Sequence, residues 1–211
     1  MLNNRFISFE GSEGVGKTTL VDKVAAYFEQ HQTPYVRTRE PGGTSFASQL
    51  RSILIDPNTD INSDSELLLL FAGRVDHINK LIIPSLNSGK WVLCDRFVDS
   101  SFAYQGYGRN NGDLAVLEKI KQLKEIFVPI EPSKTFLLDM STELSMQRMC
   151  ERGEKDRIEL ENFEFFERVR EGYWELAMQF PSRYIMIDAR GTIDEVFEQV
   201  EEHLKLNEDW S

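Results

Sequence analysis

The residues Gly11-Ser12-Glu13-Gly14-Val15-Gly16-Lys17-Thr18 read G-x-x-x-x-G-K-[ST] and follow directly on the apolar run Phe6–Phe9. Glycines at these positions let the backbone wrap an anion closely, with N–H groups turned inward. A helix predicted from Thr18 to Gln30 adds the positive end of its dipole. In this arrangement the Lys17 ammonium reaches the β- and γ-phosphates of a bound triphosphate. The Thr18 hydroxyl ligates Mg²⁺, and Thr19 continues the same turn. A glycine-rich turn matching by chance is the competing reading. The strand before the motif and the helix after it argue against that.

Other charged residues stand at the ends of apolar runs. Asp95 and Arg96 close the run Trp91–Cys94, and Arg39 closes Tyr35–Arg39 ahead of the turn Glu40-Pro41-Gly42-Gly43. In open α/β sheets ligands bind beyond the carboxyl ends of the strands. Asp95 is therefore expected to orient a metal ion through water. Arg96 offers a rigid fork for a second phosphate. By itself the Asp95-Arg96 pair is as readily a surface ion pair. Arg74 interrupts the helical stripe Leu67, Leu70, Phe71, Ile78, Leu81, and Arg51 does the same beside Ala47, Leu50 and Leu54. Such arginines either snorkel to water or reach a buried anion. Arg148, Arg152, Lys155 and Arg157 surround Gly153 between two helical stretches. They read either as a mobile lid over about 148–160 or as a solvated loop of ion pairs.

These residues need a scaffold, and the hydropathy pattern supplies one. Strands are predicted at Arg5–Glu10, Tyr35–Arg39, Trp91–Asp95, Thr135–Met140 and Tyr184–Ile187. Helices are predicted at Thr18–Gln30, Ser45–Ile55, Ser65–Asn87, Leu114–Phe127, Ser141–Cys150, Phe163–Phe180 and Ile193–Leu206. Short apolar strands alternating with helices predict an α/β fold. Its centre is a parallel sheet of about five strands with helices on both faces. The 211 residues fit one domain, 1–211, with the lid as its only elaboration. The acidic end Glu208–Ser211 is expected to fray.

Composition narrows the partners. A net charge of −11 argues against a nucleic-acid binder or motor, which usually carries a basic face. It leaves room for a small anion held by clustered arginines. No apolar run approaches the length of a membrane span, and from the opening residues no signal peptide is expected. Two cysteines and three scattered histidines make a disulfide framework or a zinc site improbable. A cytoplasmic location is expected.

Taken together, these segments resemble the thymidylate kinases, P-loop kinases that phosphorylate dTMP with ATP. The resemblance runs from about Phe6 to Asp188. It is carried by Phe9–Thr19, by Thr38-Arg39-Glu40-Pro41-Gly42-Gly43-Thr44, by Asp95-Arg96-Phe97 with Ala103-Tyr104-Gln105-Gly106, and by Arg152–Arg157. It implies that Gly11 to Thr19 hold ATP, with Mg²⁺ on Thr18 and Asp95. It implies that Arg96, with Arg39 or Arg51, binds the dTMP phosphate, beside Pro41. Arg74, Ser101 and Gln105 would reach the thymine. Tyr104 would exclude a ribose 2′-hydroxyl, and Glu13 would bond the sugar 3′-hydroxyl. Lys17, Arg96, Arg152 and Arg157 are the implied catalytic residues, with Arg148 a further lid candidate. The lid inherits the role because the phosphate loop has no arginine near Gly14.

Two departures stand out. Where many relatives stack an aromatic on thymine this chain has Leu70. Either Phe71 takes over the stacking, or the base packs on an aliphatic wall. Cys150 occupies a position where some relatives carry another lid arginine. The resemblance further implies a homodimer packed through the long helices. The alternative is another nucleoside monophosphate kinase or a deoxynucleoside kinase of the same fold. A GTP-dependent switch is disfavoured, because Asn79-Lys80-Leu81-Ile82 lacks the aspartate of a guanine-reading segment.

Overall fold

A computed structural model describes residues 5–151 and 156–205. Five parallel strands form one sheet: β1 (Phe6–Glu10), β2 (Tyr35–Arg39), β3 (Trp91–Asp95), β4 (Lys134–Asp139) and β5 (Tyr184–Asp188), in the order β2-β3-β1-β4-β5. The pairing sets Phe9 opposite Asp95 on β3 and Phe136 on β4, so the ends of the three central strands share one edge. β1 is buried along its whole length, as a central parallel strand covered on both faces must be.

Helices cover both faces. On one side α1 (Lys17–Gln30) and α9 (Ile193–Lys205) pack Leu20, Val24, Phe28, Val196 and Val200 against Ile7, Phe9 and Phe136. On the other, α3 (Ser63–His77) and α6 (Leu114–Phe127) bring Leu67, Phe71 and Ile120 against Phe6, Val92 and Cys94. The remaining helices are α2 (Ser45–Ile55), α4 (Ile83–Asn87), α5 (Asp99–Ser101), α7 (Thr142–Glu151) and α8 (Phe163–Gln179).

The single helix expected over Ser65–Asn87 is divided. Between α3 and α4, residues Ile78–Ile82 widen into a π turn, in which the Ile83 N–H donates to the Ile78 carbonyl. Pro84, in the first turn of α4, has no N–H to continue the α-helical ladder, and the wider turn precedes it. A second π segment, Phe102–Gly108, follows α5 and was not anticipated from the hydropathy pattern. Its glycines answer to close packing. A Cβ on Gly106 would lie 2.6 Å from Leu117, and one on Gly108 would lie 2.8 Å from Phe165.

α7 packs directly on the phosphate loop. Gly14 has φ +76°, and a Cβ there would stand 2.2 Å from the Ser145 carbonyl oxygen. Gly14→Ala is therefore expected to cost at least ~2 kcal/mol, from left-handed strain plus a clash with rigid backbone. A urea titration checks this. An unchanged midpoint would mean that α7 yields freely.

Candidate active site

The loop between β1 and α1 positions its lysine by geometry alone. Gly16 is in the left-handed region (φ 90°) and caps α1, so Lys17 opens the helix. The Lys17 side chain is buried, and its Nζ donates to the Ser12 carbonyl at 2.5 Å, across the mouth of the loop. Burial, and next the positive charge of Arg96, push the ammonium down to about 8 despite Glu13, Asp95 and Glu10 nearby. Beside it the Thr18 hydroxyl donates to Asp95 Oδ2 at 2.7 Å, joining the start of α1 to the end of β3. Hydroxyl and carboxylate oxygens suit a hard divalent cation. Among the described residues no group of three or more His, Cys, Asp or Glu side chains could hold a metal. Such an ion would draw its other ligands from phosphates and water.

Arg96 is the second cation of the site. It has φ +69°, a left-handed conformation that a side chain adopts only at a cost, and its N–H bonds to the Phe9 carbonyl at 3.0 Å. Its Nη1 donates to the Gly11 carbonyl (2.8 Å), the Tyr173 hydroxyl (3.0 Å) and Ser100 Oγ (3.3 Å). Its Nη2 donates to Glu13 (2.7 Å) and the Tyr104 hydroxyl (2.8 Å). The guanidinium also lies over the Tyr104 ring, 4.8 Å from its centroid. Burial opposes its charge, but Glu13 and the two phenols hold it well above the ordinary range. Behind it Glu10 is fully buried. It accepts from the Phe97 N–H (2.7 Å), Ser100 Oγ (2.7 Å) and the Tyr173 hydroxyl (2.9 Å). Burial, then the neighbouring Asp99, raise its carboxyl to about 7 against the pull of Arg96.

Both cations open into one cleft of about 270 Å³, close to the lower end of small-ligand sites. Beyond Arg96 its wall carries Arg74, Ser101, Tyr104, Gln105 and Leu70. Arg74 is buried. It donates through Nε to Glu40 (2.7 Å) and through Nη1 to Ser101 Oγ (3.1 Å). Glu40 in turn meets His77 Nδ1 (3.0 Å), whose Nε2 meets Thr38 Oγ1 (2.7 Å). Arg39 and Arg51 stand at the mouth. Arg51 reaches the Pro41 carbonyl at 3.3 Å, and its guanidinium is held below its ordinary range, by burial first and by Arg39 next. The arrangement can hold two phosphate groups end to end, with a flat polar group at the far end.

A profile of the family described as Thymidylate kinase matches residues 9–200. The chain belongs to the thymidylate kinase family. A thymidylate kinase of Psychrobacter sp. (strain PRwf-1) is 47% identical over 196 residues, covering 93% of this chain and 94% of that protein. One of Acinetobacter baylyi is 46% identical over 202 residues, covering 95% and 98%. A crystal structure of thymidylate kinase from Ehrlichia chaffeensis superposes with a TM-score of 0.74 at 36% identity, covering 95% and 97%. Its fold, a P-loop kinase fold, is the one described above. Members of this family are phosphotransferases, and so is this chain.

Against the family pattern, most expected positions converge on the cleft. Glu13, Lys17, Thr18, Arg39, Pro41, Arg51, Arg74, Asp95, Arg96, Ser101, Tyr104, Gln105 and Arg157 all line it. Phe71 does not. It is 2% exposed, packed under the Arg74 guanidinium (4.8 Å), and Leu70 takes the cleft wall. One residue is about 100° of helix, enough to turn one side chain to the core and its neighbour to the cleft. Arg148 does not line the cleft and donates to the carbonyls of Ala189 and Arg190, both at 2.9 Å. Arg152, Gly153 and Lys155 lie outside the described residues. Arg157 is bound to Glu66 (2.6 Å) and the Leu54 carbonyl (2.7 Å). Its backbone N–H bonds to the Ile55 carbonyl at 2.9 Å, so Arg157 is stitched to the end of α2 through backbone and side chain alike.

Sequence reasoning gave no role to Glu10, Glu40, Glu66, His77 or Tyr173. Glu10 carried a signal, since a carboxylate ending a largely apolar strand must find partners. Glu66 carried none, because its partners lie 39, 43 and 91 residues away.

Proposed function

We infer that the protein transfers the γ-phosphoryl group of ATP to the 5′-phosphate of dTMP, giving dTDP and ADP. The observation that carries this is the convergence of Lys17 and Arg96, from the ends of adjacent parallel strands, on one cleft. Phosphoryl transfer needs alignment and charge neutralisation more than covalent help from the protein. In this reading residues Gly11 to Thr19 hold the triphosphate, and Lys17 neutralises its terminal oxygens. Mg²⁺, held by Thr18 and, through water, by Asp95, would neutralise phosphate charge. Arg96 leaves Glu13 to grip the acceptor phosphate, with Arg39 or Arg51 at its flank. Glu13 then accepts from the sugar 3′-hydroxyl. Arg74, Ser101 and Gln105 meet the base against Leu70. Arg157, and Arg152 from the lid, bring further positive charge to the transferring group. The protein acts in the cytoplasm as a homodimer. Phe46 and Ile53 on α2 and Leu68 on α3 leave apolar surface exposed for that contact.

A coupled assay of ADP release with dTMP, dUMP, dCMP, AMP and thymidine tests the reading. Turnover should be highest with dTMP and negligible with thymidine, which brings no phosphate to Arg96. A preference for thymidine or AMP would overturn it.

The sugar offers a sharper check. Tyr104 is 6% exposed, and its hydroxyl is fixed by Arg96. In this reading its ring stands against the sugar, where a 2′-oxygen would project. Tyr104→Ala is expected to lower the preference for dTMP over its ribose counterpart about tenfold or more, while Tyr104→Phe keeps it. Equal ratios in all three proteins would remove Tyr104 from sugar selection.

A further inference from the structure

Glu66, in the first turn of α3, is 2% exposed and collects three donors from distant parts of the chain. Gln105 Nε2 approaches at 2.7 Å, Arg109 Nε at 2.9 and 3.1 Å, and Arg157 Nη2 at 2.6 Å. Burial alone would favour the neutral acid, but the hydrogen bonds and charge of Arg109, with Gln105 and Arg157, hold its carboxyl below the ordinary range. An ionised carboxylate has no proton to give. The amide of Gln105 therefore has to turn its NH₂ toward Glu66. The other end of that amide, the carbonyl oxygen, is the end left for the cleft that Gln105 lines.

Arg74 stands on the same wall with Nε committed to Glu40, Nη1 to Ser101 and Nη2 to the Phe97 carbonyl at 3.4 Å. One N–H on each Nη is left over, and a guanidinium offers donors only. Beside the Ser101 hydroxyl, which accepts from Arg74, the far end of the cleft thus presents the Arg74 donor group and the Gln105 acceptor. That pair complements a pyrimidine with a carbonyl oxygen at C4 and an N–H at N3. A 4-amino pyrimidine reverses both, with an NH₂ at C4 and a lone pair at N3. We propose that Glu66 is a positioning residue for base specificity: by committing the Gln105 NH₂, it makes the cleft accept 4-oxo and reject 4-amino pyrimidine nucleotides. The proposal rests on the function inferred above and deepens it.

A neutral amide at position 66 removes the commitment. It can donate to the Gln105 carbonyl, which frees the Gln105 NH₂ to face the cleft and meet the N3 lone pair of cytosine. Glu66 also secures Arg109 and Arg157, and loss of that support slows every acceptor alike. The ratio of specificity constants therefore isolates the effect on the base.

The test measures kcat/KM for dTMP and dCMP in the wild type, Glu66→Gln, Glu66→Asp and Gln105→Met. The dTMP-over-dCMP ratio is expected to fall about tenfold or more in Glu66→Gln, as for one mismatched buried hydrogen bond. It should fall similarly in Gln105→Met and hold in Glu66→Asp, which keeps an acceptor-only group. An unchanged ratio in folded Glu66→Gln, or in Gln105→Met, overturns the proposal. In the wild type the side-chain NH₂ resonances of Gln105, assigned by their loss in Gln105→Met, should stay protected from exchange when dTMP saturates the protein. Their release on dTMP binding overturns it as well, whether or not Glu66→Gln folds. A wild type with no preference for dTMP would instead refute the functional reading itself.

Discussion

Lys17→Met is expected to lose phosphoryl transfer by about 10³-fold and, in the same protein, to unfold at a higher temperature than the wild type at pH 7. The first effect follows from removing a preorganised charge next to the group in transfer. The second follows from the cost of keeping an ammonium in this position. Burial first, and Arg96 next, lower it from an ordinary 10.5 to about 8. Between those values the unfolded chain binds a proton that the folded protein has released. Stability therefore rises with pH across that window, and below about 8 the folded state carries the full penalty. That penalty is on the order of 3 kcal/mol. Methionine removes it at neutral pH, so the gain in melting temperature should shrink as pH rises through 8 toward 10. Melting curves from pH 6 to 10, beside turnover numbers, check both parts. Near-normal turnover would rule out the phosphate-loop mechanism. A wild type more stable at pH 7 would mean that Lys17 is held at no cost.

Arg96→Ala is expected to lower kcat/KM for dTMP by about 10³-fold and to destabilise the unliganded fold by about 3 kcal/mol. Arg96 makes five side-chain hydrogen bonds, including the 2.7 Å ion pair with Glu13. Taking one member from a largely buried pair strands the other charge, and that accounts for most of the lost stability. A second change, Glu13→Gln, removes the stranded charge. The double variant should recover stability in urea and recover no activity, because the fork for the acceptor phosphate is still missing. Arg96→Lys should sit between, with a charge but no bidentate geometry. Full activity in Arg96→Ala would place the acceptor phosphate elsewhere. Failure of Glu13→Gln to restore stability would show that the other partners the guanidinium leaves, the Gly11 carbonyl and the hydroxyls of Ser100, Tyr104 and Tyr173, and not the stranded Glu13 charge, dominate the loss.

Local signals made most of the scaffold legible. Most strands are short apolar runs, β2 with Arg37, Thr38 and Arg39 being the exception, and β2 and β3 span the residues that the pattern predicted. The phosphate loop was readable because its glycines, lysine and threonine are contiguous. What escaped was set by contacts between distant residues. The Phe102–Gly108 segment carries Tyr104 and Gln105, yet its sequence has no period, since its shape answers to Leu117 and Phe165. Leu70 and Phe71 are equally apolar, and only the packing of Phe71 beneath Arg74 decides which of them faces the cleft. Arg148 belongs to the basic cluster in sequence but is held by carbonyls after β5. The carboxylates that fix the arginines, Glu40 for Arg74 and Glu66 for Arg157, are invisible without the fold that joins them.

The most direct measurement of the central claim follows the phosphorus. The purified protein is incubated with ATP carrying ¹⁸O on its γ-phosphoryl oxygens, dTMP and Mg²⁺, and the products are resolved by the isotope shift in ³¹P NMR. The cleft geometry predicts that the label appears in the β-phosphate of dTDP, one dTDP for each ADP, and that Lys17→Met and Arg96→Ala form both about 10³-fold more slowly. Label released as inorganic phosphate, or ADP formed without dTDP, would contradict a site in which Lys17 and Arg96 align two phosphates for transfer.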